Sequence, residues 1–263
     1  TSITNNLIYN NSAGDNGGVN ISAGSLTFEN NIVSNNTAGR YAGGAKFYVN
    51  SSYSISNNTF SHNSSQRYGS IDLNPGGDSY GTFTNNTIAY NTTGPYDSTY
   101  NTILKSMQLS GNGLFSGNNV FGNNGHVYLN PVNDADSPDL VVENNWWDTT
   151  STTELDVMMY DWNDYPTLGI IDYTPFLTSP STSAPPSPPH NIAAQTGPTS
   201  VQLAWPQNPE SDIAGDKVHY DTDKAGYPYA TSIDVGNVTS FTLPDLNTET
   251  TYHIALSAYD SDG

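Results

Sequence analysis

Pairs of asparagine recur along the first part of this chain at nearly constant spacing. Each pair precedes a short apolar or threonine-containing stretch, and the pairs begin at Asn5, Asn30, Asn57, Asn85, Asn118 and Asn144. Successive starts are 25, 27, 28, 33 and 26 residues apart. A repeat of this length is one structural unit that cannot bury its apolar face alone, so the core must come from stacking of repeats. The pattern predicts a solenoid.

Short runs with the composition of β-strands lie between the asparagine pairs. They alternate β-branched or aromatic residues with small ones, as in 18–22, 44–49, 69–73 and 127–129. This alternation indicates strands rather than helices. A period of about 26 residues is too short for a propeller blade and lacks the leucine and helix pattern of horseshoe repeats. We therefore expect parallel strands, with the first asparagine of each pair at a turn and its amide bonded to the same amide one coil further on.

These units resemble the right-handed parallel β-helix repeat family, the pectate-lyase-like solenoids. The shared pattern is Asn-Asn-x-Ile/Phe-x-x-Asn, and the resemblance covers roughly residues 1–178. It implies an all-β fold closed by a C-terminal cap over about 143–178, where large aromatic residues would cover the open end of the core. It does not select one activity, because lyases, hydrolases, epimerases, phage tailspikes, adhesins and passive shells share this fold.

A second domain is expected after the repeats. Residues 179–189 are rich in proline and serine and predict an extended, semi-rigid linker. Residues 190–263 resemble a fibronectin type III domain, an immunoglobulin-like β-sandwich, with Trp205 as its early core tryptophan and Tyr252 at its tyrosine corner. The sequence accounts for all strands of such a domain except the last. We therefore expect an incomplete sandwich with an unpaired edge strand. Either the sequence simply ends before the last strand, or a strand from a neighbouring copy fills the gap.

The charge of the chain is strongly negative and unevenly distributed. The net charge is −19. Residues 1–133 contain 5 acids and 4 bases, residues 134–189 contain 10 acids and no base, and the remainder contains 10 acids and 2 lysines. The lack of a basic patch argues against a nucleic-acid partner, and no apolar run is long enough for membrane insertion. The chain has no cysteine, which excludes disulfides and thiolate metal sites.

The acid-rich segment contains the candidate metal site. Asp134, Asp136 and Asp139 have no base nearby, and oxygen ligands of this kind suit calcium. The glycine and closing glutamate of an EF-hand loop are missing, so solvated loop charges remain the alternative, and calcium is the only cofactor considered. Further acidic residues lie among aromatic ones and are expected to accept hydrogen bonds; these are Asp156, Asp161, Asp164 and Asp172.

Several asparagines begin an Asn-x-Ser/Thr glycosylation sequon. An Asn-Asn-Thr repeat creates sequons automatically, and an asparagine that points into the core cannot accept a glycan. Only sites in exposed loops are therefore candidates. The sites expected to be exposed are Asn63, Asn91 and Asn237.

Two functions fit these observations. The nearly neutral, polar repeat region and the lack of converging acid and base residues favour an extracellular or cell-surface structural and adhesive protein, with no catalytic residue assigned. Copies would join head-to-tail into filaments through the unpaired edge strand. The alternative is binding or degradation of cell-surface polysaccharide, with part of the groove in coils before residue 1, which already lies inside a repeat. Its sugar-stacking residues would be Tyr41, Tyr48, Tyr53, Tyr68, Tyr80, Tyr96 and Tyr100.

Overall fold

The chain forms two compact units, Thr1–Pro185 and Pro186–Gly263. The computed structural model describes residues 1–66, 68–76, 79–94, 105–109, 112–129, 139–166 and 168–261. The fold is nearly all β, with 3% helix. The first unit contains a parallel β-solenoid of about 5 turns over residues 2–172. The predicted all-β solenoid is confirmed.

The described strands of the solenoid, in chain order, are β1 (Ser2–Thr4), β2 (Leu7–Tyr9), β3 (Ser12–Ala13), β4 (Val19–Glu29), β5 (Ile32–Ser34), β6 (Thr37–Ala38), β7 (Ala45–Ser56), β8 (Thr59–Ser61), β9 (Ser64–Ser65), β10 (Tyr68–Pro75), β11 (Tyr80–Thr84), β12 (Thr87–Ala89), β13 (Thr92–Thr93), β14 (Lys105–Leu109), β15 (Asn112–Ser116), β16 (Asn119–Phe121), β17 (His126–Leu129), β18 (Leu140–Val141), β19 (Met159–Tyr160) and β20 (Ile171–Asp172). A helix, α1 (Thr152–Met158), precedes β19. The described strands of the second unit are β21 (Ala193–Thr196), β22 (Val201–Ala204), β23 (Ile213–Asp221), β24 (Thr231–Gly236), β25 (Ser240–Leu243) and β26 (His253–Asp260).

Three parallel sheets form the walls of the solenoid. Wall A has the order β1-β4-β7-β10-β14-β17-β19. Strand β11 also pairs with β7, and β15 pairs with β11, so these two strands extend the same sheet. Wall B has the order β16-β12-β8-β5-β2, and wall C the order β13-β9-β6-β3. The register between β4 and β7 shifts between Ala23 and Ser25, so the long strands of wall A bend without leaving the sheet. Each coil thus visits wall A, then B, then C.

The two asparagines of a pair have different structural roles. The first has a positive φ, near 55°, at Asn5, Asn30, Asn57, Asn85 and Asn144. Asparagine tolerates this left-handed conformation, which turns the chain from wall A into wall B. The second asparagine forms the ladder: Asn31 donates from its backbone N and its Nδ2 to Asn58 Oδ1, at 2.9 and 3.0 Å. The sequence predicts that the first asparagine of each pair, the turn residue, supplies the ladder amide. This prediction is wrong, because the second asparagine supplies it.

The predicted turn at Asn118 is displaced by one residue. Gly117 has the positive φ in that coil, 72°, and Asn118 is a ladder residue. Asn86 donates from its backbone N to Asn118 Oδ1 at 2.8 Å, and Asn118 donates in turn to Asn145 Oδ1. Asn118 is therefore not a turn residue. Glycine replaces asparagine at the turn because it also accepts left-handed angles.

A second ladder follows the turn from wall B to wall C. Its members are Asn11, Asn36, Asn63, Asn91 and Asn123, each bonded to the next in the same way. Asn63 and Asn91 are completely buried, and their Nδ2 atoms also donate to the carbonyls of Val33 and Phe60. The expectation that these two sequon asparagines lie in exposed loops is wrong. The same spacing that produces the sequon produces the ladder, which uses the amide nitrogen that a glycan would need.

Aromatic rings stack along the interior of the solenoid. Phe60 lies between Phe28 and Phe83, with ring centroids 6.1 and 6.4 Å apart, and Phe83 stacks on Phe115 at 5.8 Å. All four rings are buried. Successive coils place equivalent side chains one above the other, so the repeat in sequence becomes a column of rings in the core.

The C-terminal end of the solenoid is covered by α1 and the last aromatic residues. Trp147, Leu155 and Met159 are buried in the main core, and Tyr173 and Phe176 pack against it. Ser151 caps the helix by accepting a hydrogen bond from the backbone N of Glu154. With 7 residues α1 is far too short to cross a membrane, and no other helix in the described residues is long and apolar enough to do so.

The proline-rich segment is bound to its neighbours on both sides of the boundary at Pro185. Ser181 donates from its backbone N to Asn119 Oδ1 at 2.7 Å and accepts from Asn119 Nδ2 at 3.0 Å. Thr87 Oγ1, in the next coil of wall B, donates to the carbonyl of Pro185. Ser187, in the second unit, donates to the buried carboxylate of Glu210 at 2.8 Å. Each of these bonds lies within one unit.

The second unit consists of two antiparallel sheets with orders β21-β22-β25 and β24-β23-β26. Its small core contains Leu203, Trp205, Val218 and Leu256. Tyr252 accepts a hydrogen bond on its hydroxyl from the backbone N of Asn247 at 3.0 Å. A tyrosine hydroxyl bonded back to the chain a few residues upstream is the arrangement of a tyrosine corner. Trp205 in the core and Tyr252 at the tyrosine corner thus occupy the positions that the sequence predicts.

Candidate functional site

The outer face of wall A carries a row of polar side chains in adjacent coils. Parallel pairing places Asn20 of β4, Lys46 of β7 and Asp72 of β10 in register. Their neighbours Phe47 and Leu73 are completely buried, as strand alternation requires when one side of the wall faces the core. The repeat therefore aligns three side chains that are far apart in sequence.

Lys46 and Asp72 form an ion pair across two coils. Lys46 Nζ lies 2.9 Å from Asp72 Oδ2, and the side chains are 28% and 2% exposed. Asp72 is thus almost completely removed from water although it points away from the solenoid core. A carboxylate in this state depends on its partner, because an unpaired buried charge is strongly destabilising.

Tyr41 connects this pair with a second, more exposed pair. Its ring centroid lies 4.9 Å from Lys46 Nζ and 4.8 Å from the guanidinium carbon of Arg40. Arg40 Nε donates to Asp15 Oδ1 at 2.7 Å. Cations at these distances interact favourably with the face of the ring. We call the set Asp15, Arg40, Tyr41, Lys46 and Asp72 the Tyr41 cluster.

Two further tyrosines of wall A are exposed. Tyr48, next but one to Lys46 on the same strand face, is 40% exposed, and Tyr80 is 62% exposed. Tyr48 lies in register between Ser22 and Asn74 of the adjacent coils. Aromatic rings presented to solvent beside polar groups can stack on sugar rings or other flat ligands.

Tyr53 does not belong to this exposed set. Its side chain is buried in the solenoid core, and burial, with a smaller effect of Tyr80, raises its pKa. Gly81 and Gly113 provide the space: a Cβ at Gly81 would lie 2.2 Å from the Tyr53 carbonyl oxygen, and one at Gly113 2.2 Å from its hydroxyl. The prediction that Tyr53 is exposed is wrong. The Tyr68 side chain, Tyr96 and Tyr100 lie outside the described residues.

The cap contains a concave surface with a volume of about 440 Å³. The residues that line it are Asp156, Met159, Asp161, Asn163, Asp164, Ile170, Ile171, Asp172, Tyr173 and Thr174. Its acidic residues are largely engaged. Asp161 accepts from the backbone N of Asn163 and of Ile171, at 2.9 and 3.0 Å, and Asp172 accepts from the backbone N of Thr174. The expectation that these carboxylates accept hydrogen bonds is confirmed for both residues.

Tyr173 completes the cap surface. Its hydroxyl donates to Asp156 Oδ1 at 2.6 Å. This bond, together with burial and the nearby carboxylates, raises the pKa of Tyr173 to about 12. A tyrosine is protonated at neutral pH in any case, and the donation of this hydroxyl to Asp156 suits a structural role in the cap.

The predicted calcium site is largely outside the described part of the chain. Asp134 and Asp136 lie outside the described residues. Asp139 is exposed, and its Oδ1 accepts from the backbone N of Ile170 at 2.8 Å. Within the described residues, no group of three or more His, Cys, Asp or Glu side chains could hold a metal ion. Calcium binding at 134–139 stays a prediction.

Asn237 is the remaining glycosylation candidate. It is exposed between β24 and β25, and its Nδ2 donates to the carbonyl of Ile213 at 2.9 Å. A glycan on Asn237 would have to form while this bond is open. Glycosylation at this position stays a prediction.

Comparison with known proteins identifies the second unit. Residues 187–263 match the family model of the fibronectin type III domain. The solved FN1–FN3 domains of chicken CNTN1 are 24% identical, with a TM-score of 0.28, over 30% of this chain and 29% of the CNTN1 structure's own length. No curated protein matches the chain. Fibronectin type III domains are frequent in cell-surface proteins, so the match indicates a protein of the cell-surface or adhesion type. The chain thus contains a parallel β-solenoid followed by a fibronectin type III domain over residues 187–263.

Proposed function

We propose that this is an extracellular adhesion protein that binds carbohydrate on the outer face of wall A. The observation that carries the proposal is the Tyr41 cluster with Tyr48 beside it. Ion pairs and cation–π contacts hold the polar side chains of this face in place before any ligand arrives. Preorganised groups lose less conformational entropy on binding than flexible ones.

The remaining parts of the molecule support this function. The asparagine ladders and the stacked rings fix each coil against the next. Such rigidity suits a stalk that presents a binding face. The fibronectin type III domain then serves as a spacer of the kind common in cell-surface proteins. Adhesion requires binding and rigidity but no acid and base pair.

Glycan binding by wild type and by variants at position 48 tests the proposal. We expect an array of immobilised polysaccharides to contain at least one ligand, whose affinity isothermal titration calorimetry then measures. Tyr48→Ala should weaken binding about tenfold, which corresponds to about 1.4 kcal/mol, because the exposed ring is lost. Tyr48→Phe keeps the ring and should bind nearly as well as wild type.

Tyr9 is a matched control. It is 41% exposed, like Tyr48, but lies at the end of β2 in wall B. Tyr9→Ala should leave binding unchanged. Equal losses for Tyr9→Ala and Tyr48→Ala, or an array without any ligand, would contradict carbohydrate binding on wall A.

Head-to-tail self-assembly, the other expectation from the sequence, stays a prediction. Sedimentation velocity over a range of concentrations tests it: assembly should give growing oligomers, and electron microscopy should show filaments. A protein that stays monomeric at every concentration excludes self-assembly.

A further inference from the structure

Wall B carries an apolar patch on its outer face in the first two coils. Leu7 and Tyr9 of β2 and Ile32 of β5 are 42%, 41% and 49% exposed. Leu7 pairs with Ile32 in register, and Tyr9 follows Leu7 by two positions on the same strand. The next residue of each strand, Ile8 or Val33, packs in the core, so the three exposed side chains share the outer side of the sheet. We call Leu7, Tyr9 and Ile32 the wall B patch.

The same outer face is covered in later coils. The register column that begins with Leu7 and Ile32 continues with Thr59, Thr87 and Asn119. These last three residues are 5%, 0% and 0% exposed. Along one column of the sheet, the outer face thus changes from polar and covered to apolar and exposed. The wall B patch is the uncovered continuation of a surface that the protein already uses for binding.

A proline-rich segment of the first unit occupies the covered end of the column. Asn119 binds both backbone polar groups of Ser181, and Thr87 donates to the carbonyl of Pro185. Ala184, between these two contacts, is 3% exposed. Residues 179–185 belong to no strand, so wall B binds the main chain of an irregular segment on its outer face and does not extend its sheet.

We propose that the wall B patch binds a proline-rich, extended segment of a partner protein. The patch is continuous with the surface that holds the chain's own proline-rich segment, which shows the kind of chain that this face accepts. Leu7 and Ile32 offer apolar contact but no group that could accept a hydrogen bond from a backbone N–H. Proline suits such a surface, because its ring is apolar and it has no backbone N–H.

Two further properties favour this ligand over other apolar peptides. Tyr9 adds an exposed aromatic ring, and proline-rich segments dock on surfaces lined by aromatic rings. An extended proline-rich segment keeps its carbonyl groups in water and is already ordered before binding, so it loses little conformational entropy. The proposed carbohydrate face lies on wall A, and the peptide proposal therefore stands or fails independently of sugar binding.

Fluorescence anisotropy with two labelled peptides tests the proposal. One peptide consists of about ten prolines, and the other is a glycine and serine peptide of the same length, which is flexible. Wild type should bind the proline peptide saturably and the flexible peptide at least about tenfold more weakly. Ile32→Asp should weaken binding of the proline peptide about tenfold or more, because the bound peptide would remove the new carboxylate from water.

Thr37→Asp is the matched control. Thr37 lies in the same coil as Ile32 and is also exposed, but it belongs to β6 of wall C. The substitution introduces the same charge, and we expect the proline peptide to bind as it does to wild type. Leu7→Asp repeats the test in the neighbouring coil, and circular dichroism of all three variants checks that the solenoid is folded.

The remaining outcomes contradict the proposal. Wild type that shows no saturable binding of the proline peptide up to about 1 mM does not recognise such a segment. Equal affinity for the two peptides would show that neither proline nor an extended conformation is recognised. Equal affinities of Ile32→Asp and Thr37→Asp would place the peptide elsewhere. Self-association that Ile32→Asp abolishes in sedimentation velocity, without binding of the proline peptide, would assign the patch to a second copy of the chain.

Discussion

The solenoid and the fibronectin type III domain satisfy their backbones and fill their cores in different ways. In the solenoid, parallel strands of successive coils are joined by buried amide side chains, and the interior is a column that extends from coil to coil. In the sandwich, antiparallel strands enclose one small cluster around Trp205. Stability in the solenoid is therefore distributed over many similar neighbour contacts, whereas the sandwich depends on a few residues from distant strands.

This difference predicts how each region responds to damage. Loss of one ladder residue should weaken adjacent coils and leave more distant ones folded, since each coil contacts its neighbours only. Loss of a central residue should unfold the sandwich as a whole, because small domains unfold cooperatively. The following variants test this contrast, from the largest expected effect to the smallest.

Trp205→Ala should have the largest effect. Removing a buried aromatic side chain costs about 3–5 kcal/mol, which is a large part of the stability of a small domain. We expect the sandwich to unfold while the solenoid stays intact. Limited proteolysis with mass spectrometry should then show cleavage throughout 186–261 and protection of the solenoid. Proteolysis that spreads equally through both regions would show that the two are not independent.

Asn58→Ala should have a strong but local effect. The Asn58 side chain accepts from the backbone N of Asn31 and donates to the carbonyls of Phe28 and Ser56, at 2.9, 2.8 and 2.9 Å. Its removal leaves buried backbone groups without partners and should cost about 3 kcal/mol. Hydrogen exchange should accelerate in the coils that contain these residues and change little near the cap.

Asn57→Gly is the control for this ladder variant. Asn57 has a φ of 55°, which glycine adopts readily, and it is not a member of the ladder. We expect hydrogen exchange close to that of wild type. A similar loss of protection from hydrogen exchange in Asn57→Gly and Asn58→Ala would mean that the turn, not the ladder, stabilises these coils.

Glu210→Gln should have a moderate, pH-dependent effect on the sandwich. Burial raises the pKa of Glu210 above its usual 4.5, although hydrogen bonds from Ser187 partly oppose this. Between pH 4.5 and the raised pKa, the folded state binds more protons than the unfolded state. Glu210 therefore lowers the free energy of unfolding as pH rises through this range. Glutamine stays neutral. The variant should match wild type below pH 4.5 and become the more stable protein as pH rises, as thermal unfolding at several pH values can show.

The reverse trend, with wild type gaining stability over glutamine as pH rises, would mean that the hydrogen bonds to Ser187 outweigh the cost of burying the charge. Ser187→Ala distinguishes the two contributions. It removes the hydroxyl bond to Glu210 and keeps the backbone one.

Asp15→Asn should have the smallest effect on stability. Its pair with Arg40 is about half exposed, and such pairs contribute about 0.5 kcal/mol or less. Thermal unfolding of the solenoid should therefore change little. The same substitution at Asp72 changes the almost fully buried member of the other ion pair and should cost clearly more, so the two variants compare an exposed pair directly with a buried one.

Much of this architecture could be predicted because it repeats. The spacing of the asparagine pairs predicts stacked parallel coils, and Trp205 and Tyr252 predict the sandwich. The exact register could not be read in the same way. At Asn118 three candidate positions follow one another, Gly117, Asn118 and Asn119, and glycine and asparagine both tolerate the left-handed turn. Only the structure shows that Gly117 makes the turn, through its positive φ, and that Asn118 belongs to the ladder, through its hydrogen bonds to adjacent coils.

The candidate site was partly predictable. Tyr41 and Tyr48 are among the predicted sugar-stacking residues, but which charged side chains lie beside them depends on which residues the register places together. No sequence motif marks Asp72, and its place beside Lys46 follows from the register of β10 with β7. Tyr53 was misassigned for the same reason. Its ring occupies space provided by Gly81 and Gly113, which lie in later coils.

The sequence by itself determined the kind of fold and the order of its two units, because the spacing of the repeats and the turn preferences of single residues can both be read along the chain. The tertiary structure alone decided which asparagines are turns and which are buried ladder members. It also decided which charges are paired and which tyrosines face solvent. These properties depend on contacts between residues 25 or more positions apart, whose alignment is set by the stacking of whole coils.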